Sequence, residues 1–193
     1  MTDDAARVAA AVEGIDAWIG DRRAAGEVRD PGAMRSVRDG AVVGLREVSA
    51  ADARAVMLLQ VAPSQRRFVA PNAVSLGQAA FSPEAWPRAI YADDVPVGFA
   101  MLSLDRDAHE YGLWRFMIDE QFQGLGYGRA AVGRVVEFVR TLPGATALMV
   151  SWVPGDGSPE AFYLGLGFEP TGEMEGDEVV GRLELGPAAG SPA

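Results

Sequence analysis

From residue 123 to 129 the chain reads Gln-Gly-Leu-Gly-Tyr-Gly-Arg, with glycines at 124, 126 and 128. Glycine lets backbone turn tightly and approach a ligand closely. The stretch that follows carries Val132, Val135, Val136 and Val139 at helical spacing and stops at Leu142-Pro143-Gly144, which predicts a helix opening directly from the loop. The first amides of a helix lack intrahelical partners and sit at the positive end of its dipole. Gln123, Gly124, Leu125, Gly126, Tyr127, Gly128 and Arg129 therefore read as an anion site, and Arg129 in the first turn could add a charge-assisted bond. A tight turn without a ligand is the plain alternative. Gly126 to Ala131 also fits the dinucleotide pattern G-x-G-x-x-A, but that reading needs an acidic residue at the end of the next strand. That strand ends Val150-Ser151-Trp152-Val153, so another phosphate compound fits better.

Composition removes several other chemistries. There is no Cys, hence no disulfide, thiolate nucleophile or Cys-ligated zinc, and all 17 positive charges are Arg. Without Lys there is no Walker A motif, no pyridoxal Schiff base and no amine nucleophile. One His, His109, cannot build a His-cluster metal site, and no G-x-S-x-G elbow accompanies it. No metal is expected. The net charge of −10 opposes nucleic acid and anionic membrane surfaces and favours cationic partners. The acidic start Met1-Thr2-Asp3-Asp4 is unlike a basic signal region, and no apolar run reaches membrane-spanning length. A cytoplasmic location is expected.

These elements must hold the loop in place. Residues 3–25 predict a helix, with Thr2 as N-cap and Val8, Val12, Ile15, Trp18 and Ile19 as its apolar stripe. A linker through Asp30-Pro31-Gly32 sets a boundary near 40. Expected next are a strand at 42–48, helices near 50–61 and 72–81, and strands at 87–92 and 96–104 about an Asp93-Asp94 turn. A strand at 111–118, the loop and its helix follow. A strand at 147–153, a helix at 158–166 and strands near 168–174 and 178–185 close the set. The expected organisation is an N-terminal helix and linker at 1–40, an α/β (α+β) domain with a mixed, mostly antiparallel sheet flanked by helices at 41–186, and a flexible tail at 187–193.

With the elements set out, Gln123 to Gly128 resembles the Q/R-x-x-G-x-G/A pyrophosphate loop of the GNAT acetyltransferases. Ala161-Phe162-Tyr163-Leu164-Gly165-Leu166-Gly167-Phe168 resembles their later Tyr-x-x-x-Gly-Phe element, at the usual separation. Within residues 42–185, Arg67 to Leu76 and Trp114 to Asp119 look most like the spermine/spermidine branch. The resemblance implies a GNAT-like fold and direct transfer of acetyl from acetyl-CoA to an amine. It places the pantetheine arm against main chain at Phe116, Met117 and Ile118, and the pyrophosphate on Gln123 to Arg129. It makes Tyr163 the general acid for the departing thiolate, a phenol and a thiol being of comparable basicity. Asp156 stands where the family often has a CoA-contacting Asn, and Gly112 where many members carry a catalytic Glu.

The base is accordingly sought at Glu110, with His109, Glu84, Asp119 or a water relay as alternatives. The acceptor is expected to be a small cationic amine such as a polyamine, held by acids such as Glu84, Asp93, Asp94 and Glu110. An antibiotic amine, or a CoA-binding module without turnover, are the rival readings. The first 40 residues are expected to dock on the domain or on a second subunit, which leaves a homodimer open.

Overall fold

The computed structural model describes residues 2–25 and 34–186, with the side chains of residues 2–5 and of Val8 left out. Five helices and seven strands are found among them: α1 (Thr2–Ala24), β1 (Val43–Glu47), α2 (Ala53–Met57), α3 (Asn72–Ala79), β2 (Ala85–Ala92), β3 (Val95–Asp105), β4 (Glu110–Ile118), α4 (Tyr127–Val139), β5 (Ala147–Trp152), α5 (Glu160–Leu164), β6 (Glu169–Glu175) and β7 (Glu178–Glu184). The expected Thr2 cap, the Val8 position, the linker at 30–33 and the tail from 187 lie outside what is described.

All seven strands form one sheet in the order β1-β2-β3-β4-β5-β7-β6. Every pairing is antiparallel except β4 with β5, which is parallel and is held at only two positions, Gly112 opposite Met149 and Leu113 opposite Val150. β4 then leaves its neighbour. The reason lies on its other edge: Met101 pairs with Arg115 and Leu102 with Leu113, so Trp114 is an extra residue, a bulge that bends β4 just where it parts from β5. Residues Phe99 to Leu102 of β3 are wholly buried, as a central strand covered on both faces must be. Tyr127, Ala131, Val135 and Val139 line one side of α4 at four-residue spacing and bury it against β1 and β4. Val136, expected on that face, is only half-buried because it lies one position around the helix.

The helix α1 docks on the domain through Val12, Asp16, Ile19 and Arg23. Ile19 is fully buried, whereas Trp18 is 41% exposed under the guanidinium of Arg22. The anchor is polar. Arg23 donates to both oxygens of Asp119, to Glu120 at 3.3 Å and to the Leu58 carbonyl at 3.1 Å. Asp119 is 0% exposed and also accepts from the amides of Gln60 (2.9 Å) and Gln121 (3.1 Å). Removing one partner of such a pair strands a buried charge. We therefore expect Arg23→Ala to lower unfolding free energy by about 3 kcal/mol in a denaturant titration, the lower end for broken buried pairs. A change below 0.5 kcal/mol, the range of ordinary surface substitutions, would make α1 a loosely attached arm.

Candidate active site

The parting of β4 from β5 opens a cavity of about 720 Å³. At one end lies the glycine loop. Asp119 at the end of β4 caps a short 3-10 helix (Glu120–Phe122), and the chain then enters Gln123, whose side-chain amide donates to the Ile118 carbonyl (3.0 Å) and to Gln65 (2.9 Å). Gly124 and Gly126 have φ of +79° and +87°, the left-handed region in which a side chain is strained. Gly126 is the N-cap of α4, so the amides of Tyr127, Gly128 and Arg129 are the unpaired donors of a 13-residue helix. Two ties fix this loop from outside: the Tyr127 hydroxyl donates to the Arg35 carbonyl, and the Val37 amide donates to the Leu125 carbonyl at 3.0 Å. Phe162 lies under the loop, 3.3 Å from where a Cβ on Gly128 would stand, and stacks on Phe116 at 5.8 Å between centroids.

Deeper in the same cavity stands Tyr163 on α5. Its ring is packed by Trp152, Phe162 and Phe168 at 5.5–5.7 Å. Burial, with the Glu178 carboxylate adding to it, pushes the phenol well above the ordinary tyrosine range. The proton is thus held more firmly than the simple comparison of phenol with thiol suggests. Beside it Ser151 donates a hydrogen bond to Glu178, the first residue of β7, and Arg115 of β4 lines the same region.

Of the residues singled out from sequence, Phe116, Met117, Ile118, Gln123, Gly124, Gly126, Tyr127, Gly128, Arg129 and Tyr163 all line this cavity. Three do not. Leu125 turns its carbonyl to Val37 and packs on the core. Asp156 is exposed, and it is its backbone carbonyl that is engaged, by Arg67 at 2.7 Å. Glu110 sits at the exposed start of β4, paired with Asp105 beyond the point where the two strands part.

The alternatives to Glu110 are elsewhere too. His109 is in the β3–β4 turn against Gly144, Glu84 is exposed before β2, and Asp119 is tied to Arg23. Asp93 and Asp94 face Arg35 and Arg46 at 3.0 and 3.1 Å rather than the cavity. The carboxylate that does line it, Glu178, was not anticipated, and neither were Ser151, Arg115 and Trp152. Glu178 reaches the cleft because β7 inserts between β5 and β6, a topology with no local signature. Among the described residues no group of three or more His, Asp or Glu could hold a metal ion, and no helix is long and apolar enough to cross a membrane.

A mixed sheet split between two parallel strands, with a glycine loop opening a helix at one end of the split and a buried tyrosine within it, is the α+β arrangement that the sequence resemblance implies. The chain belongs to the acetyltransferase (GNAT) family, whose model matches residues 60–168. It is an acetyl-CoA-dependent N-acetyltransferase. It is 25% identical over 146 residues to the spermine/spermidine N(1)-acetyltransferase of Bacillus subtilis, covering 72% of this chain and 96% of that one. A solved acetyltransferase from Thermus thermophilus superposes with a TM-score of 0.60 at 21% identity, over 74% of this chain and 97% of that one. The PaiA N-acetyltransferase of Thermoplasma acidophilum, solved in complex with coenzyme A, does so with 0.56 at 13% identity, over 74% and 99%.

Proposed function

We propose that the cleft binds acetyl-CoA along its length and acetylates the primary amine of a small molecule entering beside Glu178. The observation that carries this reading is the continuity of one cavity from the amides of α4 to Tyr163 and Glu178. The residues fit the cosubstrate. Unpaired amides and Arg129 suit a pyrophosphate, Arg66 and Arg67 add positive charge to the lining, and the edge of β4 turned away from β3 at Phe116 to Ile118, unpaired by β5, suits the amides of a pantetheine arm.

Acetyl-CoA when bound supplies a thioester: the amine nitrogen bonds to its carbonyl carbon, the carbon–sulfur bond breaks, and CoA departs as thiolate. The chain's own task is proton handling. Ser151 holds one oxygen of Glu178, and the carboxylate takes the proton of the arriving ammonium, freeing the lone pair. Tyr163, whose phenol proton burial holds firmly, gives it to the sulfur and regains one from the attacking nitrogen, which sheds a proton as the amide forms. An ammonium and a thioester become an amide, a thiol and one proton released to water.

A polyamine acceptor is the finer reading favoured by the name of the Bacillus relative and by the net charge of −10. The acids expected to hold it, Glu84, Asp93, Asp94 and Glu110, are not part of the cavity lining.

The proton roles are tested by pH–rate profiles. In the wild type kcat/KM should show no alkaline loss near pH 10, because a general acid with a raised pKa loses its proton only above the ordinary tyrosine value. Glu178→Gln should lower kcat/KM about a hundredfold at neutral pH, within the usual span for acid–base catalysis. The deficit should shrink as pH approaches the amine's own pKa, where solvent removes the proton. An unchanged neutral rate in that variant rejects Glu178 as the base.

A further inference from the structure

The charges in the Tyr163 region of the cavity do not balance for a purely cationic acceptor. Among the described residues Glu178 is the one carboxylate in the lining, whereas Arg115 brings a guanidinium to the same cavity. Arg115 is largely withdrawn from water, and burial lowers its pKa against the opposing pull of Glu178. One of its Nη atoms donates to the Trp114 carbonyl at 2.8 Å, and its Nε is buried with no hydrogen-bond partner. Trp152, a further lining residue, is only 2% exposed, and its indole Nε1 is likewise buried and unpartnered. Buried donors without acceptors cost free energy, the more so on a charged group, unless a ligand supplies the missing oxygens.

The phosphates of the cosubstrate are poorly placed to supply them. Arg115 lies three residues along β4 from Ile118, about 10 Å at strand rise, on the side away from the glycine loop. The lining already offers the phosphates Arg129, in the first turn of α4, with Arg66 and Arg67 as further cations.

Resting on the acetyl-transfer reading above, we propose that the acceptor is an amine that also carries a carboxylate, with Glu178 receiving the ammonium and Arg115 receiving the carboxylate. This pairing selects an amino-acid-like acceptor and selects against a polyamine. A second ammonium would meet the Arg115 guanidinium, and like charges brought together out of water repel strongly.

Matched probes test it: phenylalanine against phenylalaninamide, β-alanine against β-alaninamide, and spermidine alongside. Each is assayed with acetyl-CoA, and kcat/KM is expressed per unprotonated amine because the amide lowers the neighbouring amine's pKa. At least one carboxylate should be used tenfold or more better than its amide and better than spermidine. Arg115→Gln should bring that ratio close to one, with Arg115→Lys in between, and calorimetric binding of acetyl-CoA reports whether the variants are folded. If Arg115→Gln does not fold, the wild-type ratio decides by itself. Equal or better use of every amide, spermidine as the best probe, or an Arg115→Gln variant that weakens acetyl-CoA binding without altering the ratio would overturn the inference and leave acetyl transfer standing. Absence of turnover with every amine would instead overturn the acetyl-transfer reading, and this inference with it.

Discussion

Gly126→Glu should weaken acetyl-CoA binding at least a hundredfold, about 2.7 kcal/mol or more, while the chain stays folded. Three effects act together at this position. The residue has φ of +87°, where a side chain costs roughly 1–2 kcal/mol. Its Cβ would stand 3.3 Å from Val37, a contact that a small shift relieves. Above all, a carboxylate would occupy the amide cluster at the start of α4 that a pyrophosphate needs, and the two anions would repel. Because a negative charge at a helix N-terminus favours the helix itself, binding should fall further than stability. Gly126→Asn, uncharged and tolerant of the left-handed region, should lose far less. Calorimetric titration of acetyl-CoA measures both variants, and unchanged affinity in a folded Gly126→Glu protein would put the cosubstrate elsewhere.

The second large effect is expected from Tyr163→Phe, which should reduce kcat about ten- to a thousandfold with acetyl-CoA affinity nearly intact. The ring is packed on three sides by aromatic neighbours, and phenylalanine preserves that packing. Only the hydroxyl is lost, and its proton matters when the thiolate departs, so the cost falls on the transition state rather than on binding. Water can substitute in part, which keeps the expected loss toward the lower part of the range. Wild-type turnover in this variant would return Tyr163 to a packing role.

The parts of this site that were legible in the sequence are those written in one continuous stretch. The glycines at 124, 126 and 128 followed by the valine periodicity of α4 announce a loop opening a helix, and Tyr163 sits inside a recognisable local pattern. The succession of strands along the chain could also be followed, though not their order in the sheet, because each strand is separated from the next by a turn or helix with its own residues, such as Asp93 in the left-handed region of the β2–β3 turn. The acid–base partners were not legible. Glu110 is suggested by its nearness to Gly112, where the resemblance puts a catalytic Glu, yet a strand runs about 3.3 Å per residue, and its eight residues of separation from Ile118 carry it to the far end of β4. Glu178 is about fifty positions from the loop and enters the cleft only through the placement of β7 beside β5. The bulge at Trp114, which opens the cleft and sets Arg115 at its edge, depends on the register with β3 and has no mark of its own in the sequence.

Acetyl transfer to an amine in the β4–β5 cleft is tested most directly by incubating the purified chain with acetyl-CoA and the amine panel, following thiol release and the mass of the amine together. The account predicts amine-dependent release of CoA matched one for one by an N-acetylated product, with both signals lowered in parallel by Tyr163→Phe. Thiol release that is the same with and without every amine, and no acetylated product, would contradict it.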